Sequence, residues 1–197
     1  MLTPIKPLQL ELTPGQKKLL AVCRQHSSVP RAKIVEKTGL RSGSVTSISK
    51  ELLAMNMIKE GPREKVGRGQ PIIPLQLNPY AAFSFGIAFH IHRIEVALAN
   101  FCGEVIDTET IDYAEDAPII DVLKNIKAQI DVLVDKHKIQ NARILGIGVS
   151  MPGPSEGDGK SIRTIIQMGH WRGVDLASIF GDVFEWPVWI DNDCNVA

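Results

Sequence analysis

The 197-residue chain balances 22 Lys+Arg against 22 Asp+Glu and is 44% hydrophobic, which gives it enough apolar material for one large or two modest domains. No run nears the roughly 18 apolar residues that cross a bilayer. The opening stretch MLTPIKPLQLELTPGQKK has no signal-peptide pattern of basic start, long apolar core and small-residue cleavage site, so a cytoplasmic protein with no membrane partner is expected.

Three cysteines, Cys23, Cys102 and Cys194, are odd in number, far apart and fit no metal spacing. Reduced thiols are expected, with no metal and no cofactor. The zero net charge hides a split. Residues 1–75 carry 13 Lys+Arg and 5 Asp+Glu, a net +8, and residues 76–197 carry 9 and 17, a net −8. Such asymmetry suggests that the basic half meets a polyanion.

Three helices are predicted before residue 60. The first runs from about Pro14 to Gln25, with Pro14 suited to a first turn and Leu19, Leu20 and Val22 as its apolar stripe. The second begins near Pro30, carries Ile34 and Val35, and stops at Gly39. The third lies in GLRSGSVTSISKELLAMNMIKEG, where Val45, Ile48, Leu52 and Met55 fall on one face. Its front half holds Arg41, Ser42, Gly43, Ser44, Thr46, Ser47, Ser49 and Lys50. A helix built only for packing would carry Ala, Glu and Leu there, because Ser, Thr and Gly are poorer helix formers.

Two short helices joined by a tight Gly turn, the second with a polar outer face, are the helix-turn-helix pattern. Its second helix enters the major groove with its N-terminal residues nearest the bases. Small hydroxylated residues allow close approach and bond phosphates or bases, while Arg41 and Lys50 reach the backbone. Arg41, Ser42, Ser44, Thr46, Ser47 and Lys50 are therefore candidate DNA-binding residues. The next stretch, MIKEGPREKVGRGQPIIPLQLNP, reads as a hairpin with apolar flanks and a charged, Gly-rich centre. After a helix-turn-helix that is a wing. Gly67-Arg68-Gly69-Gln70-Pro71 would carry Arg68 on a slim backbone suited to the minor groove.

The texture changes after Asn78-Pro79. FSFGIAFHIHRIEVALANFCGEVIDTETIDY holds three strand-like runs. A long helix follows, with Ile119, Leu123, Ile126, Ile130 and Leu133 on one side. RILGIGVSMPGPSEGDGK is a buried strand entering a Pro/Gly loop, GVDLASIFGDVF a short helix, and WPVWIDNDCNVA a strand ending in polar residues. That order implies a mixed sheet with helices against it, an α/β fold whose ligands collect beyond the carboxyl ends of strands. Gly148 to Pro154 and Asp191 to Asn195 belong there.

This combination resembles the ROK family of bacterial repressors and sugar kinases. The matching pieces are the winged helix, Gly67-Arg68-Gly69-Gln70-Pro71, Gly146-Ile147-Gly148 leading to Pro152-Gly153-Pro154, and Asp191-Asn192-Asp193-Cys194-Asn195. The resemblance implies a winged helix-turn-helix DNA-binding domain over 1–78. Residues 79–197 are then the first lobe of an actin-like (ribonuclease-H-like) ROK sugar-binding domain, cut short of a second lobe that carries the remaining sugar ligands and a His/Cys zinc site. Asn192 and Asp193 match the family's Asn-Asp pair, which binds sugar hydroxyls; a carboxylate accepts from a hydroxyl and a neighbouring amide both donates and accepts. Gly148, Gly153, Asn192 and Asp193 are the expected ligand-binding positions. Asp193 can also cap a following helix.

ROK kinases carry an Asp-x-Gly-Gly-Thr phosphate loop where this chain has Gly86-Ile87-Ala88-Phe89-His90-Ile91-His92. Without a loop carboxylate, a glycine pair or a hydroxyl, Mg-ATP has nothing to hold it, so no catalytic residue is expected. The resulting expectation is a sugar-responsive transcriptional regulator, a repressor in character. Its partners would be double-stranded operator DNA, a carbohydrate or sugar-phosphate effector, a second copy in a homodimer or higher oligomer, and a protein regulator of the kind some ROK repressors use. The alternative is a ROK-type ATP-dependent sugar kinase with an appended DNA-binding domain.

Overall fold

A reciprocal capping box starts the first helix. The Thr13 hydroxyl accepts from the Gln16 N–H at 3.3 Å, and Gln16 Oε1 accepts from the Thr13 N–H at 2.9 Å, which satisfies two end donors at once. The computed structural model describes residues 11–65, 71–90, 92–114, 116–140, 142–152 and 176–193. It divides into a unit of Gln9–Ala82 and a larger one that includes Phe83–Ala197. None of the described helices is long and apolar enough to cross a membrane.

In the smaller unit α1 (Pro14–Gln25), α2 (Arg31–Thr38) and α3 (Ser42–Ala54) follow one another. Gly39 ends α2 in the left-handed region at φ 68°, its N–H donating to the Val35 carbonyl, a conformation that glycine adopts without the Cβ penalty. Leu19, Ile34, Val45, Leu52, Met57, Ile58 and Leu75 make the fully buried core.

The expected stripe of α3 is corrected at one position. Val45 and Leu52 are buried, Ile48 and Met55 are half-buried, and Ser49 is fully buried beside them. Its hydroxyl donates to the Val45 carbonyl at 2.6 Å, so the burial leaves no orphan polar group.

The predicted hairpin is present at its base. β1 (Ile58–Glu60) pairs antiparallel with β2 (Leu75–Leu77) in the register Ile58 to Leu77. Pairing continues outward through Gly61 to Pro74 and Glu64 to Ile72. Val29, between α1 and α2, pairs with Leu75 and ties the hairpin to the helices. Arg31 reinforces this: its guanidinium donates to Glu60 Oε1 at 3.0 Å and to the Ile73 carbonyl at 3.2 Å. The tip, including Arg68, lies outside the described residues.

The larger unit is a five-stranded sheet in the order β5-β4-β3-β6-β7. Its strands are β3 (Phe83–His90), β4 (Arg93–Asn100), β5 (Val105–Asp112), β6 (Ile144–Met151) and β7 (Val188–Asn192). The β3-β4-β5 meander is antiparallel, whereas β6 runs parallel to β3 and β7 parallel to β6, which is the mixed sheet expected. Strand alternation sends Phe83, Phe85, Ile87, Phe89, Ile94, Val96 and Leu98 to one face. There they pack with α4 (Ile119–Lys136), through Leu123, Ile126, Ile130 and Leu133, and with Phe180 of α5 (Leu176–Val183).

A bulge sits where β6 meets β3: Phe83 pairs with Ile144 but Phe85 with Ile147, so two residues of β6 oppose one of β3. Gly146 occupies it at φ 154°, and a Cβ there would stand 2.4 Å from Trp189 Cζ3 and 2.6 Å from the Pro187 carbonyl oxygen. That carbonyl cannot withdraw, because it accepts from the Ile147 N–H at 2.9 Å.

An ion cluster joins the end of α4 to β5. Asp107 accepts from Lys136 Nζ at 2.8 Å and lies 2.7 Å from His137 Nε2. The Lys136 ammonium, then the His137 ring, hold the Asp107 carboxyl down to about 2, and the same carboxylate raises Lys136.

Gly146→Ala should therefore lower stability by about 1–3 kcal/mol, read as a fall in the urea midpoint at unchanged slope; an unchanged midpoint would mean that the bulge relaxes freely. The Asp107 contact predicts a pH signature. Since its folded pKa is depressed, its stabilisation is complete above the unfolded carboxyl value near 4 and disappears as pH falls through about 2. Asp107→Asn should melt below wild type at pH 7, with the gap closing between about pH 4 and pH 2 in far-UV circular dichroism melts. A gap independent of pH would assign the loss to something other than charge.

Candidate functional site

The exposed side of α3 collects every described residue expected to bind DNA. Arg41 stands at the N-cap in an extended conformation with no side-chain cap of its own, and Ser42, Gly43, Ser44, Thr46, Ser47 and Lys50 are all exposed. Among the described residues neither Arg41 nor Lys50 forms an ion pair, so both cations remain available to a partner. The side chains between them are short, so a large flat ligand can approach the helix backbone closely. Ser49 is absent from this surface because it is buried.

Two hydroxyls on the surface are already committed. Thr46 Oγ1 donates to the Ser42 carbonyl at 3.0 Å, and Ser47 Oγ donates to Glu51 Oε1 at 3.3 Å. Glu51 is an exposed carboxylate within the expected face, outside the candidate residues read from cations and hydroxyls. Its other oxygen accepts from Gln16 Nε2 at 2.9 Å. The i, i+4 spacing of Ser47 and Glu51 was the available signal.

In the larger unit the carboxyl ends of β6 and β7 lie side by side, with Met151 opposite Asn192 and Ser150 opposite Asp191. Asn192 is half-buried, its N–H donating to Asp191 Oδ1 at 2.8 Å, and Asp193 is exposed just beyond. Gly148 lies three residues inside the end of β6, and Gly153 is outside the described residues. The sheet face away from α4 and α5 is lined by small side chains and holds a groove of about 490 Å³. Gly148 forms its wall with Gly86, Ala88, Ser150, Trp189 and Asp191. Trp189 was not among the candidate residues, although its spacing of two from Asp191 puts both on one face of the strand. Trp189 is 58% exposed. Among the described residues no group of three or more His, Cys, Asp or Glu side chains offers a ligand set for a metal ion.

Where a kinase would need a phosphate loop, β3 and β4 stay paired to His90 and Arg93, leaving two residues in the turn. Phe89 is buried in the core, and the His90 carbonyl already accepts from the Tyr113 hydroxyl at 2.9 Å. Glu95 engages Arg93 at 3.1 Å.

No family model matches the chain. It is 29% identical over 184 residues to the xylose repressor of Bacillus spizizenii, a match covering 92% of the chain and 46% of that protein. It is 24% identical over 191 residues to the uncharacterised protein y4fQ of Sinorhizobium fredii, covering 97% and 48%. Among solved structures it matches a ROK family transcriptional regulator, a homolog of the E. coli MLC protein. The TM-score is 0.64 at 22% identity, with 90% of the chain and 46% of the other covered. At that identity the likeness is one of fold. The chain thus spans about half the length of the curated relatives it matches. In sequence the chain is similar to curated repressors, and in fold to a ROK family transcriptional regulator.

Proposed function

We propose that residues 1–78 are a winged helix-turn-helix module that holds operator DNA, and that residues 79–197 are a sugar-responsive ROK lobe of a transcriptional repressor. The observation that carries the reading is the outer side of α3: small exposed side chains between two cations, Arg41 and Lys50, that form no ion pair among the described residues, within a chain half of net charge +8. A helix inserted into the major groove needs a slim face there and cations at its margins for phosphates. Arg68 on the wing would enter the adjacent minor groove.

The sugar part rests on position and relationship. Asn192 and Asp193 stand at the carboxyl end of a parallel strand, where ligands of open α/β sheets bind, with Gly148 on the neighbouring strand; Gly153, outside the described residues, is the further expected position. The xylose repressor relative supports a carbohydrate effector. Binding as a homodimer or higher oligomer would let two α3 helices occupy successive half-sites, and a protein regulator could act on the same lobe. The closed β3–β4 turn favours a regulator over a kinase.

Affinity for a selected operator should fall steeply between about 50 and 200 mM salt, by two or more orders of magnitude if six or more phosphates are contacted. Thr46→Glu should abolish binding, because the longer charged side chain holds the slim face of α3 away from the bases and repels the flanking phosphates, and Arg68→Ala should weaken it by about 1–3 kcal/mol if the side chain reads a groove. Fluorescence anisotropy on duplexes selected from a random library checks all three. A chain that selects no duplex, or a complex indifferent to salt, would overturn the DNA-binding reading. Wild-type affinity in both variants would reject this docking mode.

A further inference from the structure

The outward hydroxyls of α3 are not interchangeable donors. A hydroxyl has one proton and two acceptor lone pairs, and a carboxylate only accepts. Thr46 spends its proton on the Ser42 carbonyl and Ser47 spends its proton on Glu51. Glu51 is held in place from α1 by Gln16 Nε2, and Gln16 is itself fixed by the capping box with Thr13. The middle of the exposed face, Thr46, Ser47 and Glu51, therefore shows lone pairs and negative charge. The front differs: Ser42 and Ser44 are exposed and form no side-chain hydrogen bond among the described residues, so each keeps a proton to give.

An acceptor gains nothing from a phosphate oxygen, from guanine O6 and N7, or from thymine O4, since all of these accept as well. The donors that a major groove displays are the exocyclic amino groups, adenine N6 and cytosine N4. Glu51 adds a constraint, because its charge repels the sugar–phosphate backbone and is tolerated only over base edges. We propose that Thr46, Ser47 and Glu51 form an acceptor patch that reads exocyclic amino groups of adenine or cytosine, while Arg41, Lys50, Ser42 and Ser44 hold the phosphates. This rests on the DNA-binding reading above and makes the centre of α3 its specificity determinant.

The test uses the whole chain and a duplex that it selects from a random library. Each adenine is replaced in turn by purine and each cytosine by 2-pyrimidinone, which remove the amino group and leave the ring. At one or two positions affinity should drop on the order of tenfold or more. Thymine-to-deoxyuridine replacements, which remove only a methyl group, should change it less. In Ser47→Ala or Glu51→Ala, shown by melting temperature to be folded, the parent and amine-free duplexes should bind alike at the affected position. That loss of discrimination is something a merely structural role would not produce.

Amine-free duplexes binding within twofold of the parent at every position would overturn the proposal, and so would undiminished discrimination in both variants. Failure to select any duplex would instead remove the DNA-binding reading and this proposal with it. Selection without amine dependence removes only the acceptor patch.

Discussion

Covering one apolar face decides what each element shows on the other. In α3, burying Val45 and Leu52 against the other helices leaves Gly43, Ser47 and Lys50 outside. In the sheet, burying Phe83, Phe85 and Ile87 under α4 and α5 turns Ser84, Gly86 and Ala88 the other way. The two candidate surfaces arise from the same cause. A helix divides its residues by a period of 3.6 and a strand by a period of two, so each surface is the complement of a core.

That cause also explains what was legible in advance. Helix α1 and the end of α2 could be read because their signals are local: Pro14 and Gly39 are backbone constraints that need no tertiary partner. The mixed sheet followed from the succession of apolar runs and helices, whereas the order of its strands did not. Ser49 could not be read, because a buried serine depends on a bond to its own helix carbonyl and on a neighbour close enough to exclude anything larger. The Gly146 bulge was equally hidden. It exists because Trp189 and Pro187, more than forty residues away, crowd the backbone, and glycine alone does not announce what will approach it. Glu51 was missed for another reason: a carboxylate within a basic half looks like solvated balance until Gln16 is seen to hold it.

Net charge is a coarse guide to a surface, since part of it is spent internally. Arg31 counts toward the +8 of the first half, yet its guanidinium is tied to Glu60 and the Ile73 carbonyl and braces the hairpin. In the acidic half Asp107 and Glu109 face Lys136, so part of that negative charge closes α4 onto β5. Exposed pairs of this kind add little stability each. Their larger effect is to remove specific charges from the inventory a ligand meets. Arg41 and Lys50 carry no such duty among the described residues, and their place at the outer side of α3 is what sets them apart from the other cations of that half.

Phosphoryl transfer asks little covalent chemistry of a protein and a great deal of positioning. Its cradle must offer glycine-rich backbone with free N–H groups, and the strands around it must stop early enough to leave a loop. Here β3 and β4 remain in register to the last possible pair, Tyr113 takes up the His90 carbonyl, and Phe89 anchors the strand from below. Opening such a turn for a nucleotide would break a buried aromatic contact and at least one ladder pair before any phosphate was bound. A sugar site at the ends of β6 and β7 needs no change there.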